Sequence, residues 1–257
     1  MPYLLLGLLI AIFGTPSSYA SILTPEQALT ADLKRQLPSY EQVEQTVNGS
    51  TFLLLQRESM TSFTKGTAIL VPDWSQHAAS PKHIDHLRQQ LTDYGWYTLA
   101  VMPPSYPDHP LTEDSLQQYQ LSLKDRMEAA YRLGEQQPGV NIVIAQGSSA
   151  AVLSRLYADK QLQDPAAFIM LGVYLPDQEL NRQLAKVMAS HQIPTLDITH
   201  QYDNDYTNSQ LKLRRQLAQK QLKAIYRQRQ IIGSGYHDDE QDWVLQEIYG
   251  WLTSVGL

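Results

Sequence analysis

From residue 67 onward the chain alternates short apolar runs with amphipathic stretches, the pattern of strands joined by helical crossovers in a parallel sheet. The runs are residues 67–71, 96–102, 140–145, 167–173, 195–199 and 226–232. Between them, apolar residues recur at helical spacing: Ile84, Leu87 and Leu91; then Leu116, Tyr119, Leu123, Met127 and Tyr131; then Leu180, Leu184, Val187 and Met188 before Pro194. Each such stripe predicts a helix with one face on the sheet. Ile142-Val-Ile144 and Phe168-Ile-Met-Leu171 are apolar without alternation, which predicts strands covered on both faces.

The region before residue 67 reads differently. Thr24, Pro25 and Gln27 form an N-cap, a first-turn proline and the third residue of a capping box, predicting a helix over 25–37 that Pro38 ends. Asn48-Gly49 lies between Val43–Val47 and Thr51–Gln56, a hairpin signal. An antiparallel hairpin is therefore expected to open the sheet. The segment 103–110, with four prolines, reads as a loop after a strand.

The first twenty residues change the picture of where the chain works. They carry no charged side chain, hold an apolar stretch over 4–13 and end in Ser18-Tyr19-Ala20, as a secretory signal cleaved after Ala20 does. Gly14, Thr15 and Pro16 break that stretch short of a membrane span, so no stable anchor is expected after cleavage, and a periplasmic or secreted protein is. Residues 21–257 suit a single domain. The absence of cysteine excludes disulfides, thiolate metal sites and thiol catalysis. With 20 basic and 26 acidic side chains, net charge −6 and no basic stripe, the chain lacks an electrostatic footprint for nucleic acid.

In open α/β sheets ligands bind beyond the carboxyl ends of the strands. After residue 145 comes Gln146-Gly147-Ser148-Ser149-Ala150, a strand-to-helix turn of the kind whose apex carries a nucleophilic serine in hydrolytic enzymes. Two registers are open. With Gly147 at the apex there is no nucleophile, and Ser148 and Ser149 start a helix over 150–158. With Ser149 at the apex the frame is G-x-S-x-small, which requires Gln146 to continue the strand. Asp203 after one strand and His237 after the last stand in the chain order of a triad acid and base, and Gly233 and Gly235 let that last loop fold over the sheet. In the active reading Ser149 attacks, His237 is the base and Asp203 orients it. The oxyanion hole would come from the Ala150 N–H and that of Asp73 or Trp74, although Asp73 is a poor neighbour for an oxyanion. Tyr174, Tyr202, Tyr206 and Tyr236 stand near strand ends and could line a pocket. His83 and His86 have metal-compatible spacing but lack a further ligand, and read as the wet face of a helix. No metal or organic cofactor is indicated.

Gly66-Thr-Ala-Ile-Leu-Val-Pro72, His86-Leu-Arg88-Gln-Gln-Leu91 and Gly95-Trp96-Tyr-Thr98-Leu99-Ala-Val-Met-Pro103 resemble an exported bacterial α/β-hydrolase-like family of unknown function, over about residues 40–255. The stretch from His237 to Leu252, with Trp243 and Trp251, looks like the closing histidine and last helix of such folds. The resemblance implies an α/β-hydrolase-like, mostly parallel sheet with helices on both faces. For function it leaves two expectations: an ester or amide hydrolase with a degenerate elbow, or an inactive pseudo-hydrolase that binds a small molecule, an envelope component or a protein partner.

Overall fold

A computed structural model describes residues 23–107 and 111–257. The proposed signal segment lies outside the described residues, as do positions 108–110 of the proline-rich loop. Helix α1 (Pro25–Gln36) begins with the expected capping box: Thr24 Oγ1 accepts from the Gln27 amide, and Gln27 Oε1 accepts from the Thr24 amide. The hairpin follows as β1 (Gln42–Val47) and β2 (Ser50–Arg57). Asn48 and Gly49, at φ 50° and 78°, give the paired positive φ angles that a two-residue hairpin turn needs to match strand twist.

The alternating part supplies β3 (Gly66–Val71), α2 (Ile84–Gln90), β4 (Trp96–Val101), α3 (Glu113–Gly134), β5 (Val140–Gln146), α4 (Gly147–Ala158), β6 (Ala167–Leu171), α5 (Gln178–Ser190), β7 (Thr195–His200), α6 (Asp205–Ser209), α7 (Leu211–Lys220), β8 (Tyr226–Ile231) and α8 (Asp238–Ser254). The strands form one sheet in the order β1-β2-β4-β3-β5-β6-β7-β8. Both contacts of β2 are antiparallel and every pair from β4 to β8 is parallel. This is the predicted α/β-hydrolase-like architecture. Strand alternation divides the core: Val143 and Ala145 of β5 face α3, α4 and α5, whereas Ile142 and Ile144 face α1, α2 and α8. Both faces of the central strands are thus dry.

Three differences from the sequence reading have physical causes. The run 167–173 stops as a strand at Leu171 because Gly172 turns to φ 58°, although Val173 stays in the core. Gln146 does not leave the strand as a turn residue; it is the last residue of β5 and is buried. Helices α6 and α7 were not anticipated, because α6 is a short polar turn and the few apolar residues of α7 flank an inward arginine.

That arginine, Arg214, forms a buried ion pair with Asp197 in the middle of β7, at 3.3 Å. Asp197 also accepts from the Tyr226 hydroxyl (2.8 Å) and Gln228 Nε2 (3.1 Å). Arg214 Nη2 donates to the carbonyls of Val173 (2.8 Å) and Thr207 (2.9 Å). One guanidinium therefore joins the loop after β6, helix α6 and β7, the segments that build one end of the sheet.

Lys223 is a second buried cation. Its ammonium donates to the carbonyls of Met188 (3.0 Å) and His191 (2.7 Å), closing the C-terminal end of α5, and lies 3.1 Å from His191 Nδ1. Burial pushes the lysine down to about 7, against the attraction of Asp164. Burial, then the charges of Lys223 and Lys160, push His191 down to about 3, so its ring is neutral and accepts. Below pH 7 the folded chain bears the full cost of burying that charge. Between pH 7 and the ordinary lysine range, the unfolded chain holds a proton that the folded one lacks, so stability rises with pH by up to about 1.4 kcal/mol per unit. Urea melts at pH 7, 8 and 9 should show this rise, and Lys223→Met should remove it; parallel pH dependences would refute the assignment.

Candidate functional site

The turn from β5 into α4 falls at Gly147, whose φ is 56°. Such a positive angle suits glycine. Space also demands glycine here, because a Cβ added at Gly147 would overlap Asp73 Oδ2 and lie 2.7 Å from its Cγ. Asp73, in the loop after β3, reaches across to the helix start and accepts from the Ser148 amide at 2.9 Å through Oδ2. Its Oδ1 accepts from the amide and hydroxyl of Ser75, both at 3.0 Å, and the Tyr174 hydroxyl is in hydrogen-bonding contact with the same carboxyl. The first-turn amides of a helix favour an anion, and here the protein supplies its own. Burial raises the Asp73 carboxyl above the ordinary carboxylate range, while these four hydrogen bonds pull the other way.

Ser149 lies on another side of the helix. It is fully buried, and its hydroxyl is 3.0 Å from that of Tyr119 on α3. Trp74 is buried against the same tyrosine, edge to face at 5.4 Å, and belongs to the core. Asp203, after β7, accepts from Lys82 Nζ (2.7 Å) through Oδ1 and from the His200 amide (2.7 Å) through Oδ2. His237 is exposed at the N-cap of α8, where its carbonyl accepts from the Gln241 amide. The structure therefore does not bring Ser149, Asp203 and His237 together. Counting strands placed the acid loop at the pocket, but the residue of the last loop that lines it is Tyr236.

A pocket of about 140 Å³ opens here, lined by Asp73, Gly147, Tyr174, Asp203 and Tyr236 among others. Tyr174 and Tyr236 line it as the sequence suggested, whereas Tyr202 and Tyr206 do not. Two histidines that the sequence reading did not place there complete the wall. His83 precedes α2 instead of facing solvent from it, is 1 % exposed, and lies with its ring parallel to that of His200, interplanar angle 12°. Their Nε2 atoms are 3.0 Å apart. At φ 68° and ψ −47°, with the Ile84 amide donating to the Lys82 carbonyl, His83 is the centre of the rarer and strained form of γ-turn. Gly235 seals the pair, since a Cβ there would lie 2.6 Å from His83 Nε2 and 2.8 Å from His200 Nε2. Glu240 holds that loop by accepting from the amides of Ser234 (3.1 Å) and Gly235 (2.6 Å).

Burial, then the His200 and Lys82 charges, hold His83 well below the usual imidazole range. Burial also lowers His200, although Asp203 opposes it. A neutral pair sharing one Nε2–H leaves, on the two Nδ1 atoms together, one donor and one acceptor, whichever tautomer is adopted. His83 Nδ1 has no protein partner, and neither does Gln146 Oε1, both on residues that line the pocket, whereas the His200 ring also meets the Ile232 backbone. The arrangement can orient and exchange a proton with a bound group. It offers no hydroxyl at the elbow apex to attack one.

Comparison with known proteins agrees with this fold. Est1E from Butyrivibrio proteoclasticus superposes with TM-score 0.64 at 12 % identity, over 84 % of this chain and 98 % of that one. A soluble variant of monoglyceride lipase from Saccharomyces cerevisiae gives 0.61 at 9 %, over 83 % and 94 %, and an alpha-beta serine hydrolase homologue from Coxiella burnetii gives 0.57 at 13 %, over 82 % and 96 %. Identities this low carry the fold alone. No curated protein matches the chain in sequence. The model of the family described as Protein of unknown function (DUF3530) matches residues 15–120 and 113–254, and the chain belongs to that family.

Proposed function

We propose that this protein is an exported α/β-hydrolase-fold protein that has no serine-hydrolase activity and uses the crevice at the carboxyl ends of its strands to bind a small molecule or envelope component. The observation that carries this reading is the Asp73 carboxylate, which occupies the space a side chain on Gly147 would need and takes the Ser148 amide that would otherwise face a substrate oxyanion. Ser149 supports it, because turning toward the crevice would mean giving up the Tyr119 hydroxyl and a fully packed site. The uncharged first twenty residues, with their apolar stretch and terminal Ser18-Tyr19-Ala20, support export.

The purified chain lacking residues 1–20 is expected not to react with a fluorophosphonate probe and to turn over p-nitrophenyl acetate no faster than a buffer control. Stoichiometric labelling that disappears in Ser149→Ala or Ser148→Ala would overturn the proposal.

A further inference from the structure

His83 combines features that rarely coincide in a residue with a purely structural role. It is buried and strained, has an orphaned ring nitrogen, and lines a cavity. Gln146, also buried, adds an unpartnered carbonyl oxygen to the same wall. The surrounding charges limit what can satisfy these atoms. Lys82, the lysine of the lining, is already neutralised by Asp203, and Asp73 is a second carboxyl close by. An anion entering would therefore meet carboxylates with no free cation. An ammonium could donate to the acceptors but could not satisfy an N–H at His83 Nδ1. A hydroxyl both donates and accepts, so it suits either tautomer.

The mouth adds an apolar requirement. Tyr236 is 58 % exposed beside the opening, with Lys82 Nζ 5.5 Å from its ring centroid. The pocket itself, at about 140 Å³, is well below the roughly 300–1,000 Å³ of sites that enclose a drug-sized ligand, so it takes an end group while the remainder lies on the rim. A sugar ring has both surfaces: hydroxyls at its edge and a C–H face suited to an aromatic ring.

We infer that the crevice binds a neutral, hydroxyl-rich ring of the saccharide class, with its hydroxyls on Gln146 Oε1 and His83 Nδ1 and one ring face against Tyr236. This rests on the binding reading above, but the two fail separately: covalent labelling would end that reading, whereas the titration below concerns only the ligand class.

The test is a titration of the histidine ring signals of ¹⁵N-labelled protein with methyl β-glucopyranoside, methyl α-mannopyranoside and N-acetylglucosamine, with acetate and butylamine as comparators. At least one sugar is expected to shift the His83 and His200 signals saturably at millimolar concentration, and neither comparator to do so. Tyr236→Ala, a change at an exposed side chain that leaves the core intact, should weaken the sugar about tenfold, or roughly 1.4 kcal/mol. Gln146→Leu should weaken it further. No saturable shift with any of the three sugars, a saturable response to acetate or butylamine, or an undiminished sugar response in Tyr236→Ala would each overturn the inference.

Discussion

Arg214→Met is expected to destabilise the protein by about 3–5 kcal/mol, the range for removing one partner of a buried ion pair. The magnitude follows from what remains: Asp197 is fully buried, and the two neutral donors from Tyr226 and Gln228 would have to support its charge alone. The carbonyls of Val173 and Thr207 would lose their donor as well. Against a total stability of roughly 5–15 kcal/mol this is a large fraction. The double variant Asp197→Leu/Arg214→Met removes both charges and should recover most of the loss, since an apolar replacement of a buried pair is often neutral. Urea denaturation of the single and double variants checks this. A double variant no more stable than Arg214→Met would mean that the bonds to Val173 and Thr207, and not the unpaired carboxylate, dominate. Because those bonds hold α6 and the loop after β6, which neighbour Asp203 and Gly172 in the crevice, the single variant should also weaken any ligand.

Gly147→Ala should cost about 3 kcal/mol, lowering the melting temperature by on the order of 10 °C. A left-handed backbone contributes about 1–2 kcal/mol of this, and the added methyl, overlapping Asp73 Oδ2, contributes about 1–3 more. The second part has a specific signature, because it requires the Asp73 carboxylate to be where it is. Asp73→Ala alone should be destabilising, since the Ser148 amide and both Ser75 donors lose their acceptor. Combined with Gly147→Ala, however, it clears the overlap, so the double variant should lose less than the sum of the single losses. Calorimetric melts of the four proteins measure that coupling, and strict additivity would show that Asp73 does not occupy the glycine's missing side-chain space.

The elements that periodicity revealed were those whose burial is apolar. Ile142-Val-Ile144 announces a two-sided strand because each side chain meets a helix, and Thr24-Pro25-Glu26-Gln27 announces α1 because its capping bonds are local in sequence. Helix α7 was harder to read: its apolar positions Leu211, Leu217 and Ala218 flank Arg214, the residue that anchors it, so a charge interrupts the stripe. The same limit applied at the site. Gly147 was conspicuous because its neighbours set the turn, but the reason for glycine there is a carboxylate 74 residues earlier in the chain, which no local pattern contains. His83 and His86 shared helical spacing and so read as one face, yet helix α2 starts only at Ile84. The γ-turn before it turns His83 inward, and a single strained residue has no period. His237 followed from chain order, which fixes the loop but not which of its residues reaches the sheet.

The interlock between Gly147 and Asp73 also bears on how sequences of this kind can drift. A serine appearing at 147 arrives in a site already filled, while loss of the carboxylate at 73 leaves its four donors without an acceptor and still no nucleophile. Each single step costs stability while supplying no nucleophile with a base, so the two positions are expected to change together. The pair acts as a ratchet: a chain that has come to this arrangement is held in it by folding alone, whatever selection acts on the ligand in its crevice.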